Sequence, residues 1–265
     1  MTPSTMEQTK GLKKFIYAIL PPAFWLGAWQ FAAFLVERSV EGRGNELLLP
    51  YPLTVWKALV KLAGESLFWS TAATSLIRIL AGMVIGTLLG SALAGLTCAS
   101  RWADRLLSPG IRVIRATPVA SFILLVLLWT DRDMVPAIIA GLMVLPVVWS
   151  NLSRGIRETD PQLLELARAY RFSRWKTIRL IYLPSLRPYF LSAVTTAMGL
   201  SWKSGVAAEV LCLPRKAIGT QIHNSKLYLE VPDLFAWTAV VVAFSLVLEH
   251  LLRWMLARWN GGKTA

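Results

Sequence analysis

Two cysteines and two histidines are all that this chain of 265 residues carries. They are too few for a disulfide framework or a structural zinc site. Charge is scarce as well: 16% of residues are Asp, Glu, Lys or Arg, against about 25% in an ordinary soluble domain. Acid is scarcer than base, 15 residues against 28, which leaves a formal charge of +13. What fills the space is apolar: 55% hydrophobic residues, 12 tryptophans and a mean hydropathy of +0.52. Intrinsic disorder is excluded by that composition. A small soluble nucleic-acid binder could carry the charge but not the hydropathy. The composition is that of an all-α integral membrane protein whose positive excess sits somewhere definite.

Crossing a ~30 Å hydrocarbon core takes roughly 20 mostly apolar residues. Six stretches qualify: 15–36, 75–98, 113–129, 134–150, 186–211 and 234–256. The first follows Lys10, Lys13 and Lys14 like a signal peptide, but it is long and lacks a clear cleavage site, so it reads as a retained span. The third and fourth are short and contain Pro118, Pro136 and Pro146, which membrane helices tolerate when neighbours satisfy the freed backbone groups. Six spans put both termini on one side. With the N-terminus inside, 18 basic residues fall in inner segments and 8 in outer ones, so Lys/Arg asymmetry supports N-in, C-in. The organisation is one transmembrane domain over 15–257, between cytoplasmic tails at 1–14 and 258–265. On the outer side, Pro50 and Pro52 introduce an amphipathic helix with Val55, Leu59, Leu62 and Leu67 roughly on one face.

Within the second span, Gly82, Gly86 and Gly90 recur every fourth residue, the pattern of a face that admits another helix backbone. The inner loop over 152–188 is more informative. Asp160-Pro161 is a helix start, and a short helix follows to Tyr170. Arg171-Phe172-Ser173 breaks it, and a second helix from Arg174 runs up to Leu183-Pro184. Eight basic residues lie here, together with apolar positions such as Leu163, Phe172, Trp175 and Ile178 that would face water unless something docks on them.

That loop resembles the cytoplasmic EAA loop of binding-protein-dependent ABC importer permeases. The pattern is Glu-Ala-Ala, three residues, Gly, nine residues, then Ile-x-Leu-Pro; here it reads Glu165-Leu166-Ala167, Arg171 and Ile181-Tyr182-Leu183-Pro184. Leu49-Pro50, Ser75-Leu-Ile-Arg78, Arg115-Ala-Thr-Pro118 and Ala207-Ala208-Glu209 are similar to the nitrate/sulfonate/taurine branch. Leu166 and Arg171 depart from the pattern, and Arg171 stands where glycine permits a positive φ. The resemblance implies a type I importer permease fold in the inner (cytoplasmic) membrane. It implies two permease copies, ABC ATPase subunits beneath them and an extracytoplasmic substrate-binding protein. Glu165, Leu166, Ala167, Ala169, Arg171, Phe172 and Trp175 would form the ATPase-coupling surface. ATP and Mg would sit on the partner ATPase, with no cofactor or nucleic acid bound by this chain. The cargo implied is a sulfonate, nitrate or similar oxyanion; a thiamine precursor or other heterocycle is the alternative.

Other residues carry less. Gly262-Lys263-Thr264 imitates a phosphate loop, but Ala257 stands where its first glycine belongs. A charge at mid-span costs ~2.5–3.5 kcal/mol on insertion scales, so Lys203 and Glu209, with Ser201, Trp202 and Ser204 beside them, need a reason. Either they line a pathway or gate, or they pair structurally. Six residues apart, they share no helix face and could pair only if the helix broke near Gly205. Arg78 joins them as a substrate contact or a structural partner. No convergent catalytic group marks an intramembrane enzyme, and no internal repeat marks an ion-driven transporter.

Overall fold

The computed structural model describes residues 3–39 and 47–259 and is helical throughout, with no strand among those residues. Arg43, Lys263 and the Gly262-Lys263-Thr264 sequence lie outside the described residues. The chain divides into two compact units, Met1–Phe68 with Ile222–Ala239, and Trp69–Gln221 with Val240–Ala265.

In the first unit, α1 (Pro3–Ser39) is a single 37-residue helix. From Pro3 onward, the residues of the expected 1–14 tail are helical and run on into those of the first expected span. Pro52 at the first position of α2 (Pro52–Ala63) supplies a preset helical φ. Its Val55 and Leu62 are buried. Leu67, expected on that same face, is 51% exposed because the helix has already ended at Gly64, and Phe68 is buried in its place. Trp29 donates its indole N–H to the Pro50 carbonyl at 3.1 Å and stacks on Phe235 at 5.8 Å. Phe68 meets Trp237 at 5.0 Å, so aromatic contacts tie the early helices to the start of α11 (Val231–Trp259).

The second unit is built on α3 (Ser66–Ala99), α6 (Val135–Arg157) and α9 (Leu183–Cys212). The α3 helix begins nine residues before the expected start at Ser75. Its glycines approach α6 backbone to backbone. A Cβ on Gly82 would fall 2.0 Å from the Ala137 carbonyl oxygen, one on Gly86 2.4 Å from that of Gly141, and one on Gly90 2.7 Å from that of Leu145. At such separations only glycine fits. Trp149 fastens the inner part of this seam by donating to Thr97 Oγ1 at 3.0 Å. On the other side of α6, Val135, Ile139 and Met143 form a core with Ala208, Cys212, Ile123 and Val126.

The third span is not one helix. α4 (Arg101–Ala116) and α5 (Val119–Trp129) meet at 110°. The cause is local: Pro118 drives Thr117 into an extended conformation, φ −77° and ψ 133°. Among the described residues, α3, α6 and α11 are long and apolar enough to cross a membrane, and the bent α4–α5 pair is a fourth candidate.

Candidate functional site

The inner loop folds as the sequence punctuation anticipates at its start. Asp160 caps α7 (Pro161–Ala169), its carboxylate accepting from the Gln162 N–H at 2.8 Å. Ser173 caps α8 (Arg174–Thr177) in the same way, accepting from the Lys176 N–H at 3.3 Å. The Lys176 ammonium lies 4.2 Å from the Phe172 ring centroid, a cation–π contact that closes the turn between them.

The second loop helix does not stop at Leu183-Pro184. It widens into one π-helical turn, Ile178–Tyr182, in which the Leu183 N–H reaches back to the Ile178 carbonyl, and continues directly into α9. Pro184 follows that widened turn by two residues, so its missing N–H falls where the helical hydrogen-bond pattern is already altered. The hairpin is thereby continuous with the long helix above it.

Arg171 stands at φ 49°, in the left-handed region. The Phe172 N–H bonds the Ala167 carbonyl at 2.8 Å and the Arg171 N–H bonds that of Arg168 at 3.0 Å, which is the Schellman pattern for ending a helix. Its left-handed position is the one the EAA pattern gives to glycine. Here an arginine adopts the positive φ that a glycine would take without strain.

Of the expected coupling residues, Glu165, Leu166, Ala169, Arg171 and Trp175 are exposed and Phe172 is half-buried. Leu166 is 51% exposed and Trp175 71% exposed. Ala167 differs: it is buried, and lines a hollow of the hairpin with Leu164, Phe172, Ile178 and Tyr182. The outward surface is therefore Glu165, Leu166, Ala169, Arg171 and Trp175, with Leu163 beside them. At the base of the loop, Glu158 accepts from the Tyr189 hydroxyl at 2.5 Å and from Arg154 Nε at 2.7 Å. These two donors, Tyr189 first, hold its carboxyl below the usual glutamate range.

The expected pathway cluster separates into two groups. α9 runs unbroken through Gly205, so Lys203 and Glu209 do not meet. Glu209 is fully buried and turns toward α3: Ser75 donates to it at 2.9 Å, the Gly219 N–H at 3.1 Å and Arg78 Nη1 at 3.4 Å. The Ser75 hydroxyl oxygen also accepts from the Ile218 N–H at 2.9 Å. One carboxylate thus ties α3, α9 and the start of α10 (Ile218–Leu227) together. Ser201 and Ser204 are buried and bond carbonyls of their own helix. Trp202 is buried and donates to the Val241 carbonyl at 3.0 Å. Lys203 alone of this group is exposed.

Sequence reading missed Ser75 as a partner of Glu209. The signal was present, because Ser75 and Arg78 stand three apart on one helix face. Gly219 gave no signal at all; a Cβ there would fall 2.5 Å from Glu209 Cβ, so the close approach requires glycine.

Comparison with known proteins agrees with this architecture. The family model for the binding-protein-dependent transport system inner membrane component matches residues 82–260. An aliphatic sulfonates transport permease protein of Escherichia coli, SsuC, is 30% identical over 94% of this chain and 95% of its own. The bicarbonate transport system permease protein CmpB of Synechococcus elongatus is 28% identical over 83% and 77%. In fold, the chain is similar to one in the crystal structure of a bacterial ABC transporter that imports the acidic polysaccharide alginate. The TM-score is 0.61 at 15% identity, covering 95% of this chain and 99% of the other. This multi-pass chain belongs to the binding-protein-dependent inner membrane component family, as an ABC importer permease of the nitrate/sulfonate/taurine branch, a transport subunit and not an enzyme.

Proposed function

We propose that the chain moves a small oxyanion inward by alternating access, as one of two identical copies in the inner (cytoplasmic) membrane. A permease of this family works with ATPase subunits and a substrate-binding protein. The proposed arrangement has six crossings with both termini inside, the bent α4–α5 pair being one of the six. The 18 to 8 division of basic residues supports that orientation. ATP and Mg would be held by the ATPase, and α7 would be its docking helix.

The observation that carries the reading is the rigid presentation of α7. It is capped at both ends, offers Glu165 and Leu166 outward, and joins α9 through a helix without a break. A push on α7 is transmitted to a membrane-length helix, which is what a rigid-body switch between two access states needs. Aliphatic sulfonates and bicarbonate, after which two relatives are named, support an oxyanion cargo. The test is uptake of ethanesulfonate, nitrate, bicarbonate and a thiamine precursor by membranes holding the full transporter. The double variant Glu165→Lys/Leu166→Asp should abolish ATP-driven uptake while the permease remains in the membrane, because both side chains are exposed and neither packs the hairpin. Unimpaired uptake by that variant would refute the docking role of α7.

A further inference from the structure

Most long helices here expose what a bilayer accepts. α3 shows Ile77, Val84, Ile85, Leu88 and Leu89 outward, each at least half exposed, and α11 shows Val242, Leu246 and Val247. α9 does not. Between Leu183 and Leu211, near its two ends, it exposes no large hydrophobic side chain. Beyond Pro188, its exposed positions before Leu211 are Ser192, Thr196, Lys203 and Ala207, with Gly199 half-buried among them. The spacing of four, three, four and four residues puts all five on one face. A polar face of this length carrying a cation does not belong against lipid.

The charges around it leave Lys203 uncompensated. Glu209 is on another face, fully buried and committed to Ser75, Arg78 and Gly219. Glu249 approaches the stripe at Gly199, where a Cβ would lie 3.8 Å from its Oε1, but it is paired with Arg253 at 3.3 Å. No ion pair reaches Lys203 among the described residues. The Ser192 and Thr196 positions add no positive charge, and the Thr196 hydroxyl donates to the Ser192 carbonyl at 3.0 Å. The electrostatic character of the face is set by one ammonium.

We propose that Lys203 forms an anion-selecting constriction where the α9 faces of two copies approach one another, and that the ligand it favours is a small oxyanion. In a two-fold pair each residue near the axis recurs from the partner, so two ammonium groups flank one passage, and each copy supplies half of the site. Selection by charge in the membrane would then belong to the permease as well as to the binding protein. This rests on the reading of the chain as a paired permease.

The test needs neither the cargo nor ATP turnover. In the full complex, with Cys98→Ser and Cys212→Ser removing the native thiols, Thr196→Cys places a reporter seven residues, about 10 Å, from Lys203 along the helix. Ser192→Cys serves as a second reporter should the first variant fold poorly. The reagents are an anionic sulfonatoethyl and a cationic trimethylammonioethyl methanethiosulfonate, each rate normalised to a free thiol in solution. The expected result is modification from water with the anionic reagent faster by on the order of tenfold. That preference should fall to parity with Lys203→Gln and persist with Lys203→Arg. Absence of modification at both reporters would mean a face packed against lipid or protein, and would overturn the proposal. Equal rates, or a preference indifferent to Lys203→Gln, would overturn it too. Either failure leaves ATP-driven uptake unaffected, and loss of that uptake in the parent complex would instead refute the importer reading.

Discussion

Replacing Arg171 with glycine should make the α7 turn more stable, and the structure sets the size of the effect. Arg171 holds φ 49°, a conformation that costs an L-residue roughly 1–2 kcal/mol because Cβ crowds the following carbonyl. Glycine escapes that penalty but gives back roughly 0.5–1 kcal/mol through its greater freedom in the unfolded chain. The net gain is about 0.5–1 kcal/mol, a factor of about two to five in the opening equilibrium of the turn. The Phe172 N–H reports that opening directly, since its 2.8 Å bond to the Ala167 carbonyl closes the motif. Amide exchange at Phe172 in the membrane-embedded complex, scaled to the intrinsic rate of each sequence, should slow about two- to fivefold in Arg171→Gly. Arg171→Asn should fall between, because asparagine tolerates the left-handed region, and Arg171→Val should exchange faster than the parent. Unchanged or faster scaled exchange in Arg171→Gly would refute the assignment of backbone strain to this position.

Two further outcomes test other parts of the structure. Glu158 has its carboxyl held below the usual range by the Tyr189 hydroxyl and Arg154, so its contribution is complete above the ordinary glutamate pKa and fades as pH falls through the depressed one. Acidification from neutrality should loosen the junction of α6 and α9, read as amide exchange at Glu158 and Thr159, and Glu158→Gln should lose most of that pH dependence. In the glycine seam, Gly86→Ala would place a Cβ 2.4 Å from the Gly141 carbonyl oxygen, whereas Gly95→Ala meets nothing within 4 Å. Thermal unfolding in detergent should show Gly86→Ala destabilised by about 1–3 kcal/mol, the range for overpacking, with Gly95→Ala unchanged or slightly stabilised.

What was legible in the sequence was whatever physical chemistry writes locally. The apolar periodicity and the Asp160-Pro161 start signal lead directly to helices that the structure contains. So does the Gly82, Gly86, Gly90 spacing, which fits the observed backbone contact with Ala137, Gly141 and Leu145. Prolines were read less well, because one residue type has opposite effects in different contexts. Pro118 ends α4 by forcing Thr117 extended, Pro146 is carried inside α6, and Pro184 follows a π turn within a continuous helix. Only the neighbouring backbone distinguishes these outcomes, and composition does not report it.

The charged residues of α9 show the deeper limit. Along the chain, Lys203 lies six residues from Glu209 on the same predicted span, and nearness in sequence invites pairing them. Across an intact helix they diverge, and Glu209 finds Arg78, 131 residues away. A buried carboxylate must gather hydrogen bonds wherever the fold supplies them; here two side chains and one backbone N–H converge on it. Removing either member of such a pair strands the other, which is far costlier than never having buried them. Arg78 and Glu209 therefore secure helices to one another and are poorly placed to release a cargo each cycle. The commitment of Glu209 to Ser75, Arg78 and Gly219 changes the meaning of Lys203. A lysine beside a free carboxylate has no preference of sign, whereas one on a polar face whose neighbouring acids are already paired favours anions.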